Sequence, residues 1–486
     1  MKRRFLRFVL ALIPVLALFS QDGGSFGFGE DAAGGSFGFD SPESSSGPSV
    51  KLGGEVSAKL FSFTEDFRSS EKTRDIKPGD IFEGKLNFSA SGTTAAAFIN
   101  LKIKPDYQDP SSVISIDEAY VRLYLGPVDV EGGLRKLTWG RADSFGPLDV
   151  VNPIDYTDLS DMGDPRSIKL ARPMLHVSWN IGSFSKLEGV FVPWFEGNAY
   201  ALDGRWAAPQ IAGIGPSLVG GLKAQIPNPP FSAVGPALDT WLDTFEIRDV
   251  YTNSNPTLSY AQGGLRFTTT IGSSDMGIQY YYGRLPRPAF TIDVADFVLP
   301  ILGGGTPDPK KIHFLVNNNK YHQIGVDYAQ VISGFNLRAE AGVNITEDAK
   351  GDDGSVYNSH LVWSLGFDRD LIWGINLNLQ GNGLVRLMYD KIGSDPLTDT
   401  EAGKDLTSTR ITAILSRKFF RDELELRATA IWGIEDKDFL IIPAIIWSKN
   451  DVKAEISAGI FGGDRAGEMG QYRDNRYVKT ILTYSF

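Results

Sequence analysis

The sequence predicts an all-β fold. The expected form is a single transmembrane antiparallel up-and-down β-barrel of about 18 strands, with 16 as the alternative count. Three observations carry this. From Ser49 onward, apolar and polar residues alternate with period two. The alternating segments run about 10–13 residues, long enough for a tilted strand to cross a bilayer, whereas strands of water-soluble domains are mostly about 5–6. Short turns and longer links alternate strictly along the chain, as an up-and-down barrel with long outer loops and short inner turns requires.

In chain order, the first element is a processing signal. Lys2, Arg3, Arg4 and Arg7 precede an apolar run from Phe8 to Phe19, so residues 1–20 read as a signal peptide for export. Residues 21–48 are Gly/Ser-rich and repeat "GGSFGF" at Gly23–Phe28 and Gly34–Phe39, which reads as a flexible linker. The repeat imitates the G-x-S-x-G nucleophile elbow at Ser25 and Ser36. That elbow needs a strand–turn–helix context, which a low-complexity tail does not supply. The barrel is expected over 49–486.

Within it, "KLGGEVSAKLFSF" places Val50, Leu52, Val56 and Leu60 on one face and Lys51, Glu55 and Lys59 on the other. "DEAYVRLYLG" sets Val121, Leu123 and Leu125 against Glu118 and Arg122. "NLRAEAGVNI" sets Leu337, Val343 and Ile345 against Arg338, Glu340 and Asn344. A charged face suits a wet lumen. Short turns are expected at 91–94, 126–128, 182–185, 272–275, 332–335, 368–374, 418–422 and 448–451. The longer links fall near 64–80, 104–113, 140–171, 197–256, 284–320, 346–356, 387–405, 435–438 and 462–475. The region 197–256 is the hardest to place. Trp179, Trp373 and Trp447 near the short turns, and Trp432 near an outer loop, fit interfacial girdles.

Composition removes several function classes. With 48 Lys and Arg against 59 Asp and Glu, the net charge is −11, and no basic run suggests nucleic-acid binding. The absence of cysteine excludes disulfides, thiolate metal sites and thiol catalysis. From Asp155 to Asp164 an aspartate falls at every third residue: Asp155, Asp158, Asp161, Asp164. The run lacks the alternating carboxylates, glycine and distal Glu of an EF-hand, and no metal or cofactor is expected.

Several stretches carry a family resemblance. "DEAYVRLYLGPVDVEGGLRKLTWGR" looks like porin strands. "WGRADSFGPLDVVNPIDYTD" followed by "KLARPMLHVSW" resembles an uncharacterised porin-like family of Gram-negative outer-membrane proteins, and "GQYRDNRYVKTILTYSF" resembles its last hairpin. Alginate-export barrels share the general build. The final strand, with Val478, Leu482, Tyr484 and a terminal Phe486 on one face, resembles the assembly signal of outer-membrane barrels. The resemblance implies the cell outer membrane, a lipopolysaccharide-type outer leaflet, the barrel assembly machinery as a partner, and a homo-oligomer, since general porins are often trimers.

It also implies a role for 140–171, the third outer loop. In general porins that loop folds inward and narrows the pore. Asp149, Asp155, Asp158 and Asp161 would then lie near the constriction, facing Arg122, Arg135 and Arg338. The competing reading is a solvated outward loop. The expected function is passive diffusion of small hydrophilic solutes. The alternative is an adhesin or receptor displaying its long loops. A minor alternative, an outer-membrane phospholipase using His176 and Ser178 of "LHVSWN", conflicts with the pattern: both residues should face the lumen, away from lipid.

Overall fold

The computed structural model describes residues 49–67, 82–104, 114–202, 204–207, 214–229, 231–244, 253–302 and 308–486. The expected signal peptide and linker lie outside the described residues.

Eighteen antiparallel strands form one sheet that closes on itself. They are β1 (Ser49–Phe63), β2 (Phe82–Ser91), β3 (Ala95–Ile103), β4 (Ile114–Leu125), β5 (Val128–Arg135), β6 (Arg172–Ile181), β7 (Ser185–Val192), β8 (Gln262–Ile271) and β9 (Ser274–Arg284). The second half comprises β10 (Lys320–Ile332), β11 (Phe335–Thr346), β12 (His360–Asp370), β13 (Ile375–Arg386), β14 (Thr407–Phe419), β15 (Leu424–Gly433), β16 (Asp438–Lys449), β17 (Val452–Gly463) and β18 (Tyr477–Ser485). Each strand pairs with its neighbour in sequence, and β1 pairs with β18 from Glu55↔Ser485 to Phe63↔Tyr477. Closure leaves no unpaired edge, which is the condition for strands to span lipid. The count is 18, not 16. Among the described residues of 197–256 no barrel strand occurs: β7 ends at Val192 and β8 begins at Gln262.

The eight short turns fall where the pattern places them, and strand lengths run from 8 residues (β5) to 15 (β1), a wider spread than expected. One register detail escaped the simple alternation. In "ISIDEAYVRLYL" the apolar residues change parity between Ile116 and Ala119. The pairing absorbs this with a bulge: Asn100 opposes Glu118 while Leu101 opposes Ile116, so Asp117 has no partner. Asp117 and Glu118 thereby both act on the lumen side, where Asp117 meets Lys102 at 2.9 Å and Lys136 at 2.8 Å.

The barrel is inside-out relative to a water-soluble protein. Val56, Leu60, Val121, Leu265, Val326, Leu365, Ile445 and Ile456 point outward and are exposed. A continuous belt of such residues has no place in water and matches lipid. Val478, Leu482, Tyr484 and Phe486 also face outward. Trp179, Trp373, Trp432 and Trp447 are exposed on the same surface. Many inward positions are polar: Glu131, Arg266, Gln279, Gln323, Asp327, Glu340, Gln380, Thr412 and Lys479 are all buried inside. No helix among the described residues is long and apolar enough to cross a membrane.

The long links at one end carry structure of their own. Helices α1 (Ile214–Gln225), α2 (Gly235–Leu242) and α3 (Ala295–Leu302) belong to the links after β7 and β9. Leu222, Leu238, Leu242, Ile292, Phe297 and Ile312 bury one another there. These links form a small apolar core above the barrel.

Candidate functional site: the segment within the lumen

The segment 136–171 leaves β5 and returns to β6. Its base is fixed by Asn152, whose carboxamide accepts from Leu137 N (2.8 Å) and donates to Arg135 O (2.9 Å) and Leu170 O (2.8 Å). Lys169 adds an ion pair to Asp149. Leu137, Trp139 and Val151 then pack on Met174, Val190, Tyr281 and Tyr321 of the inner wall.

Beyond its base the segment touches the wall in two further places. The first is the stretch β9–β13. Glu340 of β11 accepts backbone N–H groups from Arg141, Ala142 (2.7 Å) and Leu148 (3.3 Å). Gln279 donates to Leu148 O (2.8 Å) and Gln323 to Pro147 O (3.0 Å). Gln380 donates to Ser144 O (2.8 Å) and accepts from Asp143 N (3.0 Å). Charge reinforces the seam. Asp143 pairs with Arg338, which also meets Asp368 at 2.7 Å. Arg141 reaches Asp327 at 2.7 Å, and Asp327 is shared with Arg266 at 2.8 Å. Leu148, fully buried, lies over Gly325 and Gly342, where an added Cβ on either glycine would press on its methyl groups. Gly140 has φ +86°, and a Cβ there would strike Glu340, so only glycine lets the chain turn over that carboxylate.

The second place is β15–β18 with β1. Leu159, Met162 and Ile168 pack on Ile431, Leu440, Ile442, Phe461 and Tyr477. Burying a Leu or Met side chain of this kind contributes roughly 1.5–3 kcal/mol. Ser160 O accepts from Tyr477 Oη (2.9 Å) and Lys479 Nζ (2.9 Å), and Asp161 pairs with Lys479 at 2.7 Å. The base, the β9–β13 seam and the β15–β1 seam lie roughly a third of the circumference apart in strand order. A segment fixed at three such points on the inner wall runs across the lumen.

The residues singled out from sequence take specific places in this frame. Asp149 is bound inside the segment, to Lys169 and the Trp139 N–H (3.4 Å). Asp155 caps its own turn through Thr157 N at 2.9 Å. Asp158 caps Ser160 N at 2.8 Å and stands 3.8 Å from Lys59. Asp161 meets the wall. Arg122 and Arg135 both pair with Glu131 on their own stretch of wall, not with an aspartate of the segment. Arg338 does pair with the segment, through Asp143. Asp143, Arg141, Asp327, Gln279, Gln323 and Gln380 were not anticipated. One signal for them was present. Long amides stand at inward, mid-strand positions where a solvated wall has no need of them.

Burial alone would raise the Asp161 carboxyl, but Lys479, Lys59 and Lys104 around it prevail and hold it below its ordinary value of 3.8. A carboxyl lowered in the folded state contributes stability above its unfolded value and loses it as pH falls through the folded one. The contact with Lys479 therefore persists from neutral pH to about 4 and weakens only below that. Melting the detergent-solubilised barrel between pH 7 and 2.5 checks this: Asp161→Asn should flatten part of the acid-side loss. An unchanged acid profile in the variant would assign that loss elsewhere.

His176 and Ser178 face the lumen. His176 Nδ1 lies 2.7 Å from Glu131 and Nε2 3.3 Å from Glu188, so both ring nitrogens are engaged with carboxylates and not with Ser178. Among the described residues no group of three or more His, Asp or Glu is placed to hold a metal ion.

No protein-family model matches the chain, and no curated protein does. Among solved structures, the chain is similar to OmpF of Salmonella typhi in complex with daunomycin (8% identity, 90% of this chain and 97% of that chain, TM-score 0.41). It is similar to the outer-membrane channel DcaP of Acinetobacter baumannii (9%, 91% and 99%, TM-score 0.40). It is also similar to OccK9 (OpdG) of Pseudomonas aeruginosa (11%, 90% and 98%, TM-score 0.43). These are likenesses at low identity; the fold itself rests on the strand pairing described above. By that pairing and its apolar outer belt, the chain is a closed 18-stranded β-barrel of the outer-membrane type.

Proposed function

We propose that this protein is an outer-membrane channel through which small hydrophilic solutes diffuse passively, filtered by the segment 136–171. The observation that carries the reading is the pairing of a wide, polar-lined barrel with a segment tied across its lumen. Barrels of 16–18 strands are too wide for side chains alone to fill and leave an aqueous passage. A tethered segment reduces that passage to gaps edged by fixed charges of both signs, among them Arg338, Asp143, Lys59 and Asp158. Fixed charges at a narrowing order water and sort solutes by size and polarity. In this reading the outward C-terminal residues serve recognition by the assembly machinery, and the barrel associates with further copies in the membrane.

Reconstitution in planar bilayers tests it. Discrete ohmic current steps are expected, with polyethylene glycols above a sharp size cut-off failing to reduce them. A folded, heat-modifiable barrel that passes no current, with 140–165 intact or deleted, overturns the channel reading. The buried cluster of Leu222, Leu238 and Phe297 in the outer links favours one other reading, a barrel that displays a folded cap to a partner. That reading predicts silence in the same bilayer experiment.

A further inference from the structure

The apolar outward face of the barrel is interrupted near the long-link end of β9 and β10. At this level the neighbouring hairpins present apolar or aromatic side chains: Leu175, Phe191, Leu361 and Trp432 are all exposed. On β9 and β10 the outward positions read differently. Arg284 stands directly opposite Lys320, and Tyr282 directly opposite His322. Two residues further from the rim, Tyr280 opposes Ile324, and the apolar belt resumes.

This arrangement has a physical cost that the contacts among the described residues offset only in part. Like charges directly opposed across a β-ladder repel. Lys320 has Glu347 at 3.8 Å. Arg284 lies over the Tyr260 ring at 4.2 Å and donates to Asn318 O at 2.8 Å, with no carboxylate in ion-pair range among the described residues. Of these two opposed cations only Lys320 has a carboxylate in range, at the edge of a low-dielectric belt, where a missing counter-charge costs more than in water.

The aromatic residues below them point the same way. His322 lies between two tyrosines, its ring centroid 5.9 Å from that of Tyr280 and 5.0 Å from that of Tyr282. Its Nδ1 is 2.7 Å from Tyr280 Oη. With Nδ1 accepting from that hydroxyl, the ring hydrogen sits on Nε2 and is free to donate. The face thus offers donors from a guanidinium, an ammonium, an imidazole and the Tyr282 phenol. They lie within two consecutive pair positions, about 7 Å along the strand. Tyrosines at this height mark the boundary between acyl chains and headgroups. The group that fits is a multivalent oxyanion carried at the membrane surface.

We propose that the outward face of β9 and β10 at Arg284, Lys320, Tyr282 and His322 binds a phosphate of a phosphorylated glycolipid in the outer leaflet. The phosphate neutralises the opposed cations, and the lipid's acyl chains lie on Ile324, Val326 and Ile278 below. This site is separate from the lumen and independent of whether the barrel conducts.

Native mass spectrometry of the detergent-solubilised full-length barrel tests it, with bisphosphorylated lipid A and its dephosphorylated form as probes. The phosphorylated lipid should bind at least about tenfold more tightly, the scale of losing charge-assisted contacts. The double substitution Arg284→Gln, Lys320→Gln should remove that preference while leaving the heat-modifiable band unchanged. Lys186→Gln, a charge removed elsewhere, serves as the control and should keep it. Inorganic phosphate at the same concentration should not compete, because it lacks the acyl chains. Equal binding of both lipids, or a preference that survives the double substitution, overturns the proposal. So does efficient cross-linking of Tyr282→Cys between two copies in membranes, which would assign the face to self-association.

Discussion

Replacing Glu340 with alanine should release the segment 136–171 from the β9–β13 wall. Three backbone N–H groups, from Arg141, Ala142 and Leu148, converge on this one carboxylate. Leaving a buried donor unsatisfied costs about 1–3 kcal/mol, and here three would be orphaned together. Rehydrating them requires the 140–148 stretch to move off the wall. The expected signature is faster hydrogen exchange at these amides together with a larger single-channel conductance. Glu340→Gln keeps an acceptor of nearly the same shape and should fall between the variant and the parent. If Glu340→Ala leaves both exchange and conductance unchanged, the carboxylate is not what holds the segment.

The second large effect is expected at Asp327, which lies between Arg141 and Arg266. Its side chain is wholly buried, and Arg266 is only 5% exposed. Asp327→Ala would leave that guanidinium buried without its counter-ion, a loss of about 3–5 kcal/mol. The temperature at which the barrel loses its heat-modifiable migration should fall clearly. The compensating pair Asp327→Ala, Arg266→Met removes both charges and should recover most of the loss. A double variant no better than the single one would show that the aspartate acts through Arg141 alone.

These two sites illustrate how the fold and the lumen differ in legibility. The barrel was readable because period-two alternation in a membrane has one low-energy solution: apolar side chains toward lipid, every backbone group paired, and the sheet closed. Val56, Leu60, Val121 and Leu125 announced their orientation by spacing alone. The hairpins were readable because a short turn between two such runs fixes their antiparallel pairing. Residues of the segment 136–171 follow no period, so their partners were not readable. The aspartates at every third position suggested a shared role, yet Asp155 and Asp158 serve their own turns while Asp161 reaches Lys479. Asp143, in the same stretch, is the one that meets Arg338.

One clue to the crossing was present in the chain. β16, "DFLIIPAIIWSK", is apolar on both faces, unlike the strands with charged lumen faces. Its inward Leu440 and Ile442 are covered by Leu159 and Met162. A strand that is apolar toward a wet lumen must have something lying on it. The sequence by itself therefore determined the closed barrel, its strand order and its lipid-facing surface, since these follow from local periodicity and the solvent on each side. Only the tertiary structure decided where the segment 136–171 lies and which charges meet. Those contacts join residues some 190 positions apart, such as Leu148 and Glu340, whose meeting depends on barrel closure and not on any local pattern.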